Sequence, residues 1–222
     1  GIIAIPNCST TPLVMTLKPL NKVNPVRRVI VDTYQSVSGT GAVAVEELRT
    51  QSHKVLDGEN VESKSYPHQI AFNILPHIES FIDNGYTQEE MKMVHETRKI
   101  LHLPKLLVSA TCVRVPVMVG HSEAVHIEFA NPITPSEVRE ILSVAPGIRV
   151  LDDPASNLYP MPINAETHDE VFVGRIRSDQ SHPRGIAMWL SSDNLRKGAA
   201  LNAIQIAEEL MVRGLLATRK EA

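Results

Sequence analysis

Basic clusters are missing from this chain of 222 residues, whose net charge of -3 is well mixed and includes no lysine or arginine block of the kind a nucleic-acid partner requires. DNA and RNA are therefore excluded as partners. No apolar run approaches the roughly 20 residues of a membrane span, and the start has neither a basic leader nor a signal-type cleavage site. A soluble, cytoplasmic chain with no membrane partner is expected. There are only two cysteines, Cys8 and Cys112, which suits a reducing compartment and not a disulfide framework. The histidines lack ligand spacing with cysteine or carboxylate partners, so no metal is expected. Internal repeats and low-complexity tracts are absent too. The first residue is Gly1, not methionine, and it opens inside what reads as a strand, so the chain is read as an excised part of a longer protein.

What is present is ordinary for a globular protein: 43% hydrophobic and 21% charged residues, enough for one large domain spanning residues 1–222. The opening apolar run ends in Pro6-Asn7-Cys8-Ser9-Thr10-Thr11-Pro12, where Thr11 is a candidate cap and Pro12 suits a first helical position, predicting a helix through Leu13, Val14 and Leu17. Pro19 and the stretch Asn21 to Pro25 read as a loop. Strands are predicted at Arg27 to Val37, Leu106 to Val113, Glu123 to Phe129, Ile148 to Leu151, Glu170 to Arg177 and Gly185 to Ser191. Helices are predicted from Gly41 to Leu56, from Gln88 behind a Thr87/Glu90 capping box, from Thr134 to Val144, and from Asn194 to Leu216 behind Asp193, with a frayed tail at Arg219 to Ala222. The last helix would carry an apolar stripe through Leu195, Ala199, Ala203, Ile206, Leu210 and Met211. This order predicts an α+β fold, a mixed and mostly antiparallel sheet with helices packed on one face.

Several residues could carry chemistry, each with a plainer reading beside it. Cys8 lies near a helix N-terminus, where unpaired N–H groups and the macrodipole favour a thiolate; equally, free cysteines are commonly small buried apolar residues. Ser38-Gly39-Thr40-Gly41 joins a strand to a helix and could bring backbone amides to a ligand, or serve as a connector, since it is not the full dinucleotide fingerprint. Glu89, Lys92 and Glu96 share one helix face, where a solvated ion pair is the default. Arg114 and His121 flank a short glycine-containing link between two strands, which would place them on neighbouring strand ends.

Five short stretches, Pro6-Asn7-Cys8-Ser9-Thr10, Tyr34 to Gly39, Glu89-Glu90-Met91-Lys92, Arg114-Val115-Pro116-Val117 with Gly120-His121-Ser122, and Asp193 to Ala200, together resemble aspartate-semialdehyde dehydrogenase in that family's order. The resemblance covers essentially the whole chain. It implies the catalytic and dimerisation domain of that enzyme, similar to the C-terminal domain of the glyceraldehyde-3-phosphate dehydrogenase-like fold, without the N-terminal nucleotide-binding half. The activity implied is NADPH-dependent reductive dephosphorylation of aspartyl-β-phosphate to aspartate-β-semialdehyde and phosphate, on the way to lysine, methionine and threonine. By the same likeness Cys8 is the nucleophile that forms a thioester, and His121 is the proton carrier, with an imidazole pKa near 6.5. Gln35, Glu89 and Arg114 would bind substrate, Asn7 and Lys92 its phosphate, and Ser38, Gly39 and Asn194 the cofactor NADP(H), which would not bind tightly to this chain alone. Cys112 is assigned to core packing. The helix from Asp193 would pack back on the nucleotide-binding domain, and the assembly would be a homodimer or a tetramer.

Three other readings remain. An N-acetyl-glutamyl-phosphate reductase would share the Cys/His pair, but its acetylated substrate offers no ammonium to Glu89. A Cys/His hydrolase or acyltransferase would work without nicotinamide, and a non-catalytic oligomerisation module would need neither residue.

Overall fold

The computed structural model describes residues 2–215. Its sheet has six strands, in the order β2 (Leu107–Arg114), β1 (Val26–Gln35), β3 (His121–Phe129), β6 (Gly185–Ser192), β5 (Val171–Ser178), β4 (Ile148–Val150). The outer pairs, β1 with β2 and β4 with β5, are parallel, and the pairings between β1, β3, β6 and β5 are antiparallel. The helices are α1 (Thr10–Val23), α2 (Ala42–Leu56), α3 (Gln88–Ile100), α4 (Pro135–Ser143), the short α5 (Pro162–Ala165) and α6 (Leu201–Val212). The α+β expectation is met.

Alternation along the strands decides where the core sits. Val29 and Val31 of β1, Val125, Ile127 and Phe129 of β3, and Met188 and Leu190 of β6 are buried in one cluster with Leu13 and Leu17 of α1, Met93 of α3, and Val138 and Leu142 of α4. Each fully buried side chain of this size contributes about 1.5–3 kcal/mol. On the opposite face Tyr34 and Trp189 pack with ring centroids 5.2 Å apart. A smaller cluster of Val37, Ala44, Leu48, Ile70, Ala71 and Leu75 anchors the irregular stretch after α2. Gln51 organises it, accepting the backbone N–H groups of Ile70 and Ala71 at 3.0 and 3.2 Å and donating to the Glu62 carbonyl at 2.9 Å.

Four expectations are corrected. Residues 2–6 form no strand: no neighbouring strand pairs with them, and Ile2 and Ile3 are exposed. Pro19 does not end the first helix, which continues to Val23; the cost of a mid-helix proline, about 3 kcal/mol, is offset by complete burial of Leu17 and Leu20 on either side. The ends of β2 and β3 that carry Arg114 and His121 are not on neighbouring strands, because β1 lies between them, pairing Gln35 with Arg114 and Tyr34 with Ser122. The link from Val115 to Gly120 instead crosses the end of β1, its Val117 and Met118 carbonyls accepting the N–H groups of Val37 and Ser38. Finally, the last helix is two pieces, a π-turn (Arg196–Ala200) and then α6; its predicted end at Leu216 and the Arg219 to Ala222 tail lie outside the described residues.

Candidate active site

Cys8 sits in the turn that leads into α1, and the residue before it holds that turn. Asn7 Oδ1 accepts the N–H groups of Ser9 and Thr10 at 2.9 and 3.3 Å and so braces the entry to α1, whose N-cap position is Ser9 and not Thr11, which lies inside the helix. Its Nδ2 donates to Glu89 Oε1 at 2.9 Å, and its backbone N–H donates to Glu96 Oε2 at 2.8 Å. The face of α3 that could have been solvated is therefore turned to the cysteine. The Thr87/Glu90 capping box aims it there: Glu90 Oε2 accepts the Thr87 N–H at 2.8 Å while Oε1 accepts the Cys112 N–H of β2 at 3.0 Å.

A cavity of about 760 Å³ opens in front of this turn, lined by Asn7, Cys8, Gln35, Glu89, Lys92 and Arg114 among others. Glu89 is the buried hub of its floor, accepting from Asn7 and, at 3.1 Å, from Gln35 Nε2, while its other oxygen lies 3.4 Å from Lys92 Nζ. Lys92 is also gripped by Glu79, whose backbone is left-handed at φ 65°. Arg114, at the end of β2, donates from Nη1 to the Ser36 carbonyl at 2.7 Å and lies over the Tyr66 ring at 5.9 Å. Its Nε has no hydrogen-bond partner among the described residues. Tyr66 is positioned in turn by its hydroxyl on Thr40 Oγ1 at 3.0 Å.

His121 begins β3 behind Gly39: a Cβ on that glycine would stand 3.0 Å from Arg114 Nη1 and 3.3 Å from His121 Nε2, so the missing side chain lets the turn pack directly against both groups. The Ser36 N–H donates to His121 Nδ1 at 3.0 Å. A backbone N–H can only donate, so Nδ1 is the acceptor and the proton of the neutral ring is on Nε2, which is buried without a partner among the described residues. Burial and the Arg114 guanidinium push the ring down to about 3, so the expectation of an imidazole near 6.5 is corrected: it is neutral throughout the physiological range. The thiolate expectation is corrected as well. Burial and the Glu89 carboxylate push Cys8 up to about 12, against the opposing pull of Arg114. Cys112 is buried against Met93, sulfur to sulfur 3.7 Å, as core packing requires.

The residues expected to meet a cofactor divide. Gly39 is exposed beside the cavity, whereas Ser38 and Asn194 are buried and bonded to each other, Asn194 Nδ2 to Ser38 Oγ at 3.0 Å. Sequence reasoning missed Glu79, Ser36, Gly198 and Glu123. Gly198, in the π-turn, brings its backbone against Cys8. Glu123 is fully buried with both carboxyl oxygens unpartnered among the described residues, and burial raises it well above the usual carboxylate range. Its place two residues beyond His121, on the same sheet face, was the available signal.

The model for the semialdehyde dehydrogenase dimerisation domain matches residues 17–197. Aspartate-semialdehyde dehydrogenase of Aquifex aeolicus is 54% identical over 217 residues, covering 97% of this chain and 64% of that protein. Among solved structures, aspartate semialdehyde dehydrogenase II of Vibrio cholerae, complexed with ASA, superposes with a TM-score of 0.92 at 47% identity, over 95% of this chain and 62% of its own. The enzyme of Candida albicans, solved with NADP, superposes at 0.73 with 29% identity, over 97% of this chain and 59% of its own. The chain thus spans less than two thirds of the length of the relatives it matches. With its sequence, sheet and cavity residues all in agreement, the chain belongs to the semialdehyde dehydrogenase family, of which it carries the dimerisation domain.

Proposed function

We propose that this chain is the catalytic and dimerisation domain of an aspartate-semialdehyde dehydrogenase, which reduces aspartyl-β-phosphate to aspartate-β-semialdehyde. The observation that carries the reading is one cavity in which a cysteine is ringed by an arginine, a lysine, a glutamine and a buried glutamate. These match the substrate group by group. Arg114 offers a planar fork to the α-carboxylate, Glu89 a carboxylate to the ammonium, Lys92 a cation to the phosphate, and Gln35 an amide to the reacting end.

Cys8 attacks the acyl-phosphate carbonyl, the C–O bond to phosphate breaks, and the thiol proton leaves with the phosphate as hydrogen phosphate. The thioester that remains splits one difficult step into two. NADPH, when bound, supplies the hydride that reduces it, and exposed Gly39 is the residue of this chain that fits the nicotinamide edge. Hydride addition turns the thioester carbonyl into an alkoxide. The neutral ring of His121 serves there as a hydrogen-bond donor through Nε2–H, since in this tautomer that nitrogen cannot accept the thiol proton. Collapse of the alkoxide expels Cys8 as thiolate, which regains a proton, and frees the aldehyde.

The exposed side chains Leu195, Ile204 and Met211 beside and along α6 suit packing on a nucleotide-binding portion, and a homodimer, with a tetramer as the larger option, fits the family's dimerisation domain. No helix of the described residues is long and apolar enough to cross a membrane, in keeping with a cytoplasmic setting. The test is NADPH formation by the full-length protein given aspartate-β-semialdehyde, phosphate and NADP. Activity that survives Cys112→Ala and is abolished by Cys8→Ala supports the reading; activity that survives Cys8→Ala overturns it.

A further inference from the structure

We infer that Tyr66 is a positioning residue for Arg114, its ring fixing the plane of the guanidinium so that the fork is ready for the α-carboxylate of the substrate; the inference rests on the role given to Arg114 above. The irregular stretch between α2 and α3 grips Arg114 twice. At the backbone, the Leu75 N–H donates to the Arg114 carbonyl at 3.0 Å and the Arg114 N–H donates to the Leu75 carbonyl at 2.8 Å. At the side chain, the Tyr66 ring centroid lies 5.9 Å from Arg114 Cζ, within the reach of a cation–π contact.

Tyr66 is itself held. Its hydroxyl lies 3.0 Å from Thr40 Oγ1 and 3.4 Å from the Val37 carbonyl, and the side chain packs on the cluster that includes Val37, Ala44 and Leu48. The two residues before it are tied to α2, where Glu47 accepts the Lys64 N–H at 3.0 Å and the Ser65 N–H at 2.6 Å. The guanidinium is pinned at Nη1 by the Ser36 carbonyl at 2.7 Å, and Nε is buried without a partner among the described residues, so the edge through Nε is the one left for a carboxylate. A single bond at Nη1 lets the fork pivot about the N–H···O axis and swing that edge out of line. A ring against its face removes the swing, because a planar cation over an aromatic face loses contact when it tilts. Tyr66 and Arg114 line the same cavity as Cys8, so a tilt of the fork would move the carboxylate position relative to the sulfur.

The test is the kinetics of the full-length protein, together with NMR of its Arg114 Nε–H group, whose signal a ring above it shifts. Tyr66→Leu should raise KM for aspartate-β-semialdehyde about fivefold to tenfold, with kcat and KM for phosphate changed less than about twofold. Tyr66→Phe, which keeps the ring, should hold KM for the semialdehyde within about threefold of the wild type. The Arg114 Nε–H signal, assigned by its loss in Arg114→Lys, should keep its place in Tyr66→Phe and move in Tyr66→Leu. If Tyr66→Leu does not fold, Tyr66→Gln, which also lacks the ring, takes its place with the same expectations. A KM for the semialdehyde that stays within about twofold when the ring is removed, or a loss that Tyr66→Phe shares in full, overturns the inference. Absence of NADPH formation by the wild-type protein would overturn the enzymatic reading instead, and the NMR signal would still decide whether Tyr66 holds Arg114.

Discussion

Gly198 leaves no room for a side chain beside Cys8: a Cβ there would lie 2.8 Å from the cysteine Cβ and 3.2 Å from its Cα. Since these atoms belong to a short side chain and to backbone, neither side can yield cheaply. Gly198→Ala is expected to displace Cys8, slowing its alkylation by iodoacetamide and the turnover of the full-length protein by about tenfold to a hundredfold. The accompanying loss of stability should be about 1–3 kcal/mol, measured by urea unfolding. A variant that alkylates at the wild-type rate would show that the turn adapts.

The thiol should react as an acid of high pKa. With Cys8 pushed up to about 12, the thiolate fraction grows tenfold per pH unit across the neutral and mildly alkaline range. Alkylation of Cys8 in the substrate-free chain, followed by mass spectrometry, is expected to rise steadily from pH 7 to about pH 10 without levelling. A plateau near pH 7 would mark a preformed thiolate.

His121 gives stability an acid limit. Its folded value, about 3, lies below the unfolded value near 6.5, so unfolding takes up a proton as pH falls through this interval. The neutral ring's contribution is intact above about pH 6.5 and is lost progressively toward pH 3. Between pH 7.5 and pH 5 it accounts for about 2 kcal/mol of lost stability, and His121→Asn should be less acid-sensitive by that amount in urea titrations.

Glu79 competes with any anion for Lys92. An exposed pair of this kind is worth up to about 1 kcal/mol. Glu79→Gln is therefore expected to lower KM for phosphate two- to fivefold in the phosphorylating direction, leaving KM for the aldehyde unchanged.

Gln51 holds the segment that carries Tyr66 and Leu75. Gln51→Ala would leave the Ile70 and Ala71 N–H groups buried and unpaired, at a cost of about 2–4 kcal/mol. Hydrogen exchange in the segment after α2 should rise selectively, because Leu75 bridges the Arg114 backbone only while that segment is packed.

Local signals were readable where local chemistry decides. The Thr87/Glu90 box, the Thr134/Glu137 box and the β-branched runs needed nothing beyond their neighbours in sequence to form. Pro19 escapes a local reading because the burial of Leu20 is a tertiary fact, and the separation of β2 from β3 escapes it because strand order is not encoded in the link between two strands. The site residues were legible mainly through likeness to a family, since nothing in the spacing of Gln35, Glu89 and Arg114 brings them to one cavity. Their charge states were not legible. Burial reversed the naive expectations for both Cys8 and His121, and burial belongs to the whole fold.

Asn7 is bonded through its backbone to Glu96 and through its side chain to Glu89, while its Oδ1 holds the turn between Cys8 and α1. The Cys8 sulfur is thereby yoked to the same helix that presents Lys92. Any shift of α3 therefore carries the Cys8 sulfur and the Lys92 ammonium together, and their mutual spacing survives the movement.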